Sequence, residues 1–366
     1  MNAWKDGRDP SAPVSYDEHG TEVRGLAWRG EVSAYVFETA SVNAAQALTN
    51  WSQCRNGGCV GKPVEFPGFK SKHKTTPVFR LRAKYKEGAA VPIPPAGPKT
   101  MRFPKLGELR VRESTRQLRR MLERGRFHVY AAAFRYEGGR WVVSVTGVAA
   151  PLHHARRAAK GRHQSQVGVD LGVKTLAVVA DETGRVLDTV RGVKALQHAQ
   201  ARLKLANQAL ARTKRGSNGR KKAARHLGRI HARIAALRKA LLHQLTADLA
   251  RGHVAVVIED LNAAGILANR KLARVLSDAS FGELRRQLEY KTAWYGTELT
   301  IADRWYPSSK TCSGCGGVKA DLTLSDRVYS CGDCGLVIDR DVNAAINLAC
   351  YMPGNTNAVP PQRVAV

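Results

Sequence analysis

Four of the seven cysteines in this chain fall into two pairs with the same short spacing. Two residues separate Cys312 from Cys315 and Cys331 from Cys334, and fifteen residues lie between the pairs. Each pair presents two sulfur atoms from one tight turn, and four thiolates satisfy the tetrahedral coordination of Zn²⁺. The spacing therefore predicts one structural zinc ion in a ribbon, and not the disulfide framework of a secreted protein. Because four thiolates fill all four coordination positions of the zinc ion, we expect no open position for a catalytic water.

The other three cysteines form no comparable pattern. Cys54 and Cys59 have the wrong spacing for a zinc knuckle, and we interpret them as surface thiols. We expect Cys350 to face the core from the last helix. The longest aliphatic runs, 176–180 and 254–258, are far shorter than the roughly 20 residues of a membrane-spanning helix. With no apolar signal-peptide core in the first ten residues, the sequence predicts a soluble cytoplasmic protein.

The charge balance indicates a polyanionic partner. The 366 residues include 59 Lys and Arg but only 30 Asp and Glu, a formal net charge of +29. DNA or RNA is the densest polyanion in a cell, and an anionic membrane surface is the rival. Arginines recur at helical steps between Val111 and Gly125, and no acid occurs between Asp188 and Asp248. The residues predicted to bind nucleic acid are Arg112, Arg116, Arg119, Arg120, Lys214, Arg215, Lys221, Lys222, Arg225 and Lys310.

The hydrophobic pattern predicts two folded regions. In the first, runs of β-branched and aromatic residues at 127–134 and 141–146 flank a Gly-Gly turn, which favours a hairpin in a small β-barrel. In the second, strands at 167–170, 175–180 and 186–190 precede two long basic helices within 193–247. A strand at 254–258, a helix at 281–295 and a strand at 299–302 follow. This order is typical of an RNase H-like nuclease core.

Three acidic residues stand where an apolar strand ends or a helix begins. Asp170 and Glu259 each follow a buried-strand pattern, and Asp341 opens the amphipathic segment 341–351. Taken singly, such acids are often cap or turn residues. Together they could converge at one sheet edge and bind the two divalent cations, about 4 Å apart, that phosphodiester hydrolysis uses. We therefore predict that these three acids are catalytic and bind two Mg²⁺ ions.

Four blocks of the sequence closely resemble the TnpB family, transposon-encoded RNA-guided DNA endonucleases related to type V CRISPR effectors. The blocks are VGVDLGVKT (167–175), VIEDLN (257–262), WYPSSKTCSGCG (305–316) and YSCGDCGLVIDRDVNAA (329–345). The resemblance implies that Asp170, Glu259 and Asp341 are RuvC-type catalytic acids. The family's Asp-x-Asn pattern selects Asp341 over Asp339, which becomes a cap or turn residue. Asp260 is the corresponding rival of Glu259, and a one-residue step along a strand points it to the opposite face.

The resemblance also implies partners and a domain order. A guide RNA transcribed from the transposon end pairs with double-stranded target DNA beside a short transposon-associated motif, and the protein in this ribonucleoprotein is expected to be a monomer. We found no Lys/Arg- and aromatic-rich barrel strand before Gly30, so the amino-terminal part is expected to be divergent or shortened. The expected regions are a wedge β-barrel with a helical recognition segment (1–150), a basic linker (151–164), the RuvC-like core with its basic hairpin (165–303), the zinc ribbon (304–338), the final RuvC segment (339–352) and a flexible tail (353–366).

Two alternatives remain at this point. One is a guide-dependent DNA-binding protein that represses or tethers without cutting, and the complete acid trio counts against it. The other is a zinc-ribbon nucleic-acid module with no RNA partner. Residues 305–310 could contact nucleic acid or pack against the ribbon.

Overall fold

A computed structural model describes residues 12, 14–16, 19–25, 31–59, 62–68, 75–82, 93–150, 163–261, 278–323 and 325–353. The chain divides into two compact units, Met1–Ala150 and Pro151–Val366. Most of the predicted basic linker (151–162) and nearly all of the predicted tail (354–366) lie outside the described residues. In the described ranges, no helix is both long and apolar enough to cross a membrane.

The first unit begins with a small hairpin and a long helix. Strands β1 (Val14–Tyr16) and β2 (Glu22–Arg24) pair antiparallel with each other. We had predicted no strand in this stretch. Helix α1 (Ala34–Gln53) then continues into a turn of π-helix (Cys54–Gly58). The surface-thiol prediction is wrong, because Cys54 and Cys59 form a disulfide. Gly57, at φ +83°, turns the chain back so that the two Cα atoms lie 4.4 Å apart.

The rest of this unit is mainly β-structure. It comprises β3 (Val78–Arg82), β4 (Pro95–Gly97), β5 (Thr100–Phe103), β6 (Gly107–Arg110), α2 (Arg116–Glu123), β7 (Phe127–Glu137) and β8 (Arg140–Ala149). The predicted hairpin is confirmed as β7 and β8, joined at Gly138 and Gly139, which both have positive φ. The described strands form two three-stranded sheets, β3-β7-β8 and β4-β5-β6, and the closed barrel stays a prediction.

The arginine-rich helix is shorter than the sequence indicated. It begins at Arg116, so Arg112 precedes it. Thr115 precedes the first turn, and its hydroxyl donates a hydrogen bond to the carbonyl oxygen of Gly97 at 2.5 Å. This contact fixes the start of α2 against the β4 end of its sheet.

The second unit is built on one five-stranded sheet. Its elements are β9 (His163–Asp170), β10 (Ala177–Asp181), β11 (Val186–Val190), α3 (Ala195–Ala211), α4 (Asn218–Gly252), β12 (His253–Glu259), α5 (Phe281–Tyr295), β13 (Glu298–Ala302), β14 (Val328–Ser330), β15 (Val337–Asp339) and α6 (Arg340–Ala349). The strand order is β11-β10-β9-β12-β13. β10 is antiparallel to both of its neighbours, β11 and β9, and β12 is parallel to both β9 and β13.

Helices cover both faces of this sheet. On one face, Val169 of β9 and Ile258 of β12 pack against Leu245 of α4 and Leu288 of α5. On the other face, Val257 of β12 lies with Leu348 of α6 in a second apolar cluster. The side-chain alternation of a strand produces this division, because successive residues point to opposite faces. The predicted strands and helices of this unit are therefore confirmed, although α4 extends five residues past the predicted end at 247.

The basic helical hairpin turns at a well-defined cap. Ser217 is the N-cap of α4, and its hydroxyl oxygen accepts a hydrogen bond from the backbone N–H of Arg220 at 3.1 Å. The Arg220 guanidinium in turn donates to the carbonyl oxygen of Leu210 at the end of α3, at 3.1 Å. Arg220 therefore closes the hairpin, which leaves the neighbouring exposed cations Lys221 and Lys222 for other contacts.

Candidate functional site

Asp170 and Glu259 lie side by side at one edge of the five-stranded sheet. Asp170 is the last residue of β9, and Glu259 is the last residue of β12. The two strands run parallel, with Gly168 paired to Val257. Because parallel strands end at the same edge and alternate residues share a face, both carboxylates leave the sheet on the face that α6 covers.

Gly168 allows α6 to approach the sheet closely. A Cβ atom built at Gly168 would lie 2.7 Å from the carbonyl carbon of Leu348 and would clash with the carbonyl oxygen of Ala345 and the amide nitrogen of Ala349. A glycine is therefore required where the helix crosses β9. This close approach carries the first turn of α6, with Asp341, towards the end of β9 and Asp170.

The N-terminus of α6 is capped by Asp339. One oxygen of this carboxylate accepts hydrogen bonds from the backbone N–H groups of Asp341 at 2.9 Å and Val342 at 3.2 Å. The prediction that Asp339 is a cap residue is confirmed. The Asp341 side chain is thereby directed away from the helix's own first amides, and its Oδ1 lies 3.5 Å from the guanidinium of Arg340.

The three acids form one electrostatic unit. Burial raises the pKa of Asp170 well above its ordinary value, and the nearby carboxylates of Glu259 and Asp341 raise it further. Burial also raises the pKa of Glu259, whereas a 2.6 Å hydrogen bond donated by the Ser308 hydroxyl lowers it. Arg340 is the cation that opposes both shifts. The site thus concentrates negative charge that a divalent cation would neutralise.

The three carboxylates have the donor chemistry of a divalent-cation site. Within the described residues, the four cysteines are the one group of three or more ligands whose donor atoms all lie within 4.8 Å of one another. Carboxylate oxygens are the hard donors that Mg²⁺ prefers, and a site for two ions about 4 Å apart needs a wider set than one ion does. The donor chemistry and the mutual proximity therefore fit divalent cations, without defining their positions.

Asp260 belongs to a different cluster from Glu259. Its two oxygens accept hydrogen bonds from Arg285 and Arg304, each at 2.6 Å. These hydrogen bonds lower the pKa of Asp260, with that from Arg304 contributing most. Two guanidinium groups therefore already balance the charge of the Asp260 carboxylate. The carboxylates of Asp170, Glu259 and Asp341, in contrast, repel one another.

The four predicted zinc ligands come together in the structure. The sulfur of Cys312 lies 3.6 Å from that of Cys334, and the sulfur of Cys315 lies 3.6 Å from that of Cys331. Four sulfurs placed tetrahedrally about 2.3 Å from one Zn²⁺ are separated by roughly 3.8 Å, so the observed spacing fits. In each knuckle a glycine with positive φ follows the second cysteine: Gly316 at +80° and Gly335 at +73°.

The backbone of the second knuckle favours a thiolate. Hydrogen bonds from backbone N–H groups, chiefly that of Cys334, lower the pKa of Cys331 to about 7. Burial has the opposite effect on Cys312 and raises its pKa to about 12. Metal binding would deprotonate both thiols, so the first knuckle contributes the larger desolvation cost.

Sequence reasoning missed the side chains that connect these two sites. Asn343 and Asn347 lie on α6 and are almost fully buried, and their amide groups donate to backbone carbonyls of residues 308–311. Two asparagines four residues apart on a helix face the same way. In the sequence, the spacing of these two asparagines just after Asp341 was the one signal that could have predicted a buried polar contact.

The predicted basic residues lie mostly at the surface. Arg112, Arg116, Arg120, Lys214, Arg215, Lys221, Lys222 and Arg225 are exposed. Arg119 is half-buried and lies 3.9 Å from Glu123, while Lys310 donates a hydrogen bond to the carbonyl oxygen of Ala320. Contact of these cations with nucleic acid stays a prediction.

Cys350 was expected to face the core. It is the C-cap of α6 and is only half-buried.

Comparison with known proteins assigns the chain to a class. Residues 149–270 match a family model described as a probable transposase, and residues 281–348 match the Cas12f1-like TNB domain. A Mycobacterium tuberculosis protein is 38% identical over 333 residues, covering 89% of this chain and 70% of its own. A Streptomyces pristinaespiralis protein is 38% identical over 326 residues, covering 87% and 73%. Both relatives carry the name "Putative RNA-guided DNA endonuclease".

The fold is similar to that of a CRISPR effector. A cryo-EM structure of a Cas12f1–sgRNA–target DNA complex matches 83% of this chain and 69% of the effector chain, with a TM-score of 0.52 and 15% sequence identity. The chain has a Cas12f-like fold of mixed α/β content. It belongs to the TnpB family.

Proposed function

We propose that this protein is an RNA-guided, Mg²⁺-dependent endonuclease that cuts double-stranded DNA. The observation that carries the proposal is the meeting of Asp170, Glu259 and Asp341 at one edge of the sheet. The strand order β11-β10-β9-β12-β13, with its antiparallel and parallel halves, supports an RNase H-like core of the RuvC type. The names of the two similar bacterial proteins point to the same activity.

The acid cluster suits phosphodiester hydrolysis. Asp170 and Glu259 would hold the cations from adjacent strands, and Asp341 would complete the donor set from α6. Two bound Mg²⁺ ions would supply an activated water and stabilise the leaving oxygen. Arg340, which already opposes the negative charge in the absence of metal, would remain beside Asp341 to balance the charge of the DNA phosphate.

The cysteine cluster has a separate role in this proposal. All four thiolates would bind one structural Zn²⁺, which leaves no position open for water. The metal would hold together residues 312–334, whose described residues form mainly turns and one short strand, β14, which pairs with β15 just beyond the segment. Metal binding would thus contribute to folding rather than to the reaction.

The exposed cations provide the surface for two nucleic acids. A guide RNA from the transposon end and a target DNA beside a short motif would occupy the first unit, as a wedge β-barrel with a recognition segment, and the basic hairpin of α3 and α4. α3 contains no acid and α4 contains only Asp248, near its end. Exposed lysines and arginines on such helices attract phosphates and release counterions. We propose a monomer in a cytoplasmic ribonucleoprotein, which associates with the nucleoid when it binds DNA.

The test is cleavage by the purified ribonucleoprotein. RNA that co-purifies with the protein is sequenced, and supercoiled plasmid carrying the matching target is incubated with Mg²⁺. We expect Asp170→Asn to abolish cutting and to leave RNA and DNA binding unchanged, because the fold and basic surface are intact. Asp321→Asn, an exposed acid of the ribbon, is the matched control and should cut normally. If Asp170→Asn still cuts, the assignment of Asp170 as a catalytic acid is overturned. If the unaltered protein binds its target in a guide-dependent way but does not cut it, a tethering or repressor role is favoured.

A further inference from the structure

Residues 308–313 connect the four-cysteine cluster to the acid cluster. Ser308, at the start of this segment, is buried at 4% exposure, and its hydroxyl donates the 2.6 Å hydrogen bond to Oε1 of Glu259. Cys312, four residues later, is one of the clustered cysteines and is fully buried. One short segment therefore carries both a contact to the acid site and a metal-ligand candidate.

Two asparagines of α6 hold this segment in place. The Asn347 amide donates to the carbonyl oxygens of Ser308 at 2.7 Å and Thr311 at 2.6 Å. The Asn343 amide donates to the same Thr311 oxygen at 2.7 Å, and its own oxygen accepts the backbone N–H of Ser313 at 2.9 Å. Both side chains are at most 1% exposed. Buried hydrogen bonds of this kind fix one arrangement, because breaking any of them leaves a desolvated polar group.

The same helix also carries Asp341. Two of the three acids therefore share one support. Asp341 lies in the first turn of α6, Asn343 and Asn347 tie α6 to the segment, and Ser308 on the segment holds Glu259. A glutamate side chain has three rotatable bonds, and a hydrogen bond to one oxygen fixes the direction of the other. Groups that orient metal-binding carboxylates in this way commonly determine metal affinity.

We propose that Ser308 is a positioning residue for Glu259, and that residues 308–313, held by Asn343 and Asn347, join the cysteine cluster and the acid cluster into one rigid support. Ser308 occupies Oε1 of Glu259, so Oε2 would be the oxygen available to a cation. This inference rests on the proposed function, because it assumes that the acid cluster binds divalent cations.

The test measures Mn²⁺ binding to the full-length ribonucleoprotein by calorimetry. The signal from the RNA and the protein surface is removed by subtracting the Asp170→Asn variant. We expect Ser308→Ala to weaken the Asp170-dependent binding about tenfold and to retain one zinc per chain. Cleavage by Ser308→Ala should slow at limiting Mg²⁺ and recover at high Mg²⁺, while its affinity for target DNA stays unchanged.

Ser313→Ala is the matched control. It removes a hydroxyl from the same segment at 2% exposure, and that hydroxyl makes no hydrogen bond within the described part of the chain. We expect its Mn²⁺ affinity to equal that of the unaltered protein. Asn347→Ala should weaken Mn²⁺ binding severalfold although Asn347 does not touch the acids. If Ser308→Ala fails to fold, Ser308→Thr and Ser308→Val form the decisive pair, since they differ only in the hydroxyl.

Each outcome has a separate meaning. Equal Mn²⁺ affinities for the unaltered protein and Ser308→Ala, or for the Thr and Val variants, would overturn the positioning role. An equal loss in Ser313→Ala and Ser308→Ala would overturn it too, because the effect would then be general damage to the segment. If the unaltered protein shows no Asp170-dependent Mn²⁺ binding at all, the proposed function itself fails, and this inference fails with it.

Discussion

Replacing Gly168 with alanine tests how closely α6 must approach the sheet. The added Cβ would lie 2.7 Å from the carbonyl carbon of Leu348 and closer still to backbone atoms of Ala345 and Ala349. Ordinary contacts between carbon atoms are about 3.5–4.0 Å, so α6 must retreat by roughly 1 Å. The opposing atoms belong to the helix backbone, so no side-chain rotation can relieve the clash.

The cost follows from this displacement. Overpacking of a well-packed core destabilises by about 1–3 kcal/mol, and a backbone clash belongs at the upper end, so we expect the free energy of unfolding to fall by about 3 kcal/mol. The retreat of α6 also moves Asp341 away from Asp170. A misplacement of about 1 Å in a catalytic group can reduce the rate by about 100-fold, and we expect that loss in DNA cleavage at temperatures where the variant is folded.

The assays are urea denaturation and plasmid cleavage, with Gly282→Ala as the matched control. Apart from its own helix and chain neighbours, no described residue has an atom within 4 Å of a Cβ built at Gly282, which is in the first turn of α5. Alanine is favoured over glycine in helices by up to about 1 kcal/mol, so this control should be as stable as the unaltered protein or slightly more stable. If Gly168→Ala unfolds within about 0.5 kcal/mol of the unaltered protein and cuts at the same rate, the reasoning on the close approach is refuted.

Two further predictions concern the charges of the acid site. In EDTA at neutral pH, Asp170→Asn should raise the free energy of unfolding by about 1 kcal/mol, because the folded protein disfavours the charged form of Asp170. The gain should shrink as the pH falls from the raised pKa of folded Asp170 towards the ordinary aspartate pKa of about 3.9. Below that value it should vanish, because this carboxyl is then protonated in both the folded and the unfolded state. Denaturation curves measured across this range that show a gain independent of pH would contradict the prediction. Asp339→Ala removes the cap of α6 and should cost about 1 kcal/mol in the same assay, whereas an unchanged midpoint would show that the two capping hydrogen bonds contribute nothing.

The sequence predicted best what depends on local pattern. Val254–Ile258 is a continuous apolar run, and it forms the central part of β12. The sequence predicted a break between the two basic helices at residues 216–219, and the turn between them does lie there, although α3 already ends at Ala211 and residues 218–219 begin α4. The cysteine spacing was also enough to predict the four-cysteine cluster, because the geometry of a zinc knuckle is set within a few residues. These features need no knowledge of distant contacts.

Features that depend on contacts between distant segments could not be predicted. Gly168 is visible in the sequence, but the helix that requires it lies far along the chain. Ser308 was expected only to contact nucleic acid or to pack against the ribbon, and its hydrogen bond to Glu259 depends on how the segment folds back over the sheet. The disulfide between Cys54 and Cys59 depends on the sharp turn at Gly57, where the backbone leaves the helical conformation, and helix periodicity does not reveal that turn.

The position of α6 in the chain has a consequence for protein synthesis. Residues of β9 and β12 emerge from the ribosome well before Arg340–Ala349, and until that helix is made, Val257 and the backbone at Gly168 lack their covering contacts. The third acid arrives with the same helix. A nascent chain, or a proteolytic fragment without α6, therefore has an exposed apolar sheet face and an incomplete set of acids. Such a fragment would be aggregation-prone and, under the proposed function, unable to cut DNA until α6 has docked.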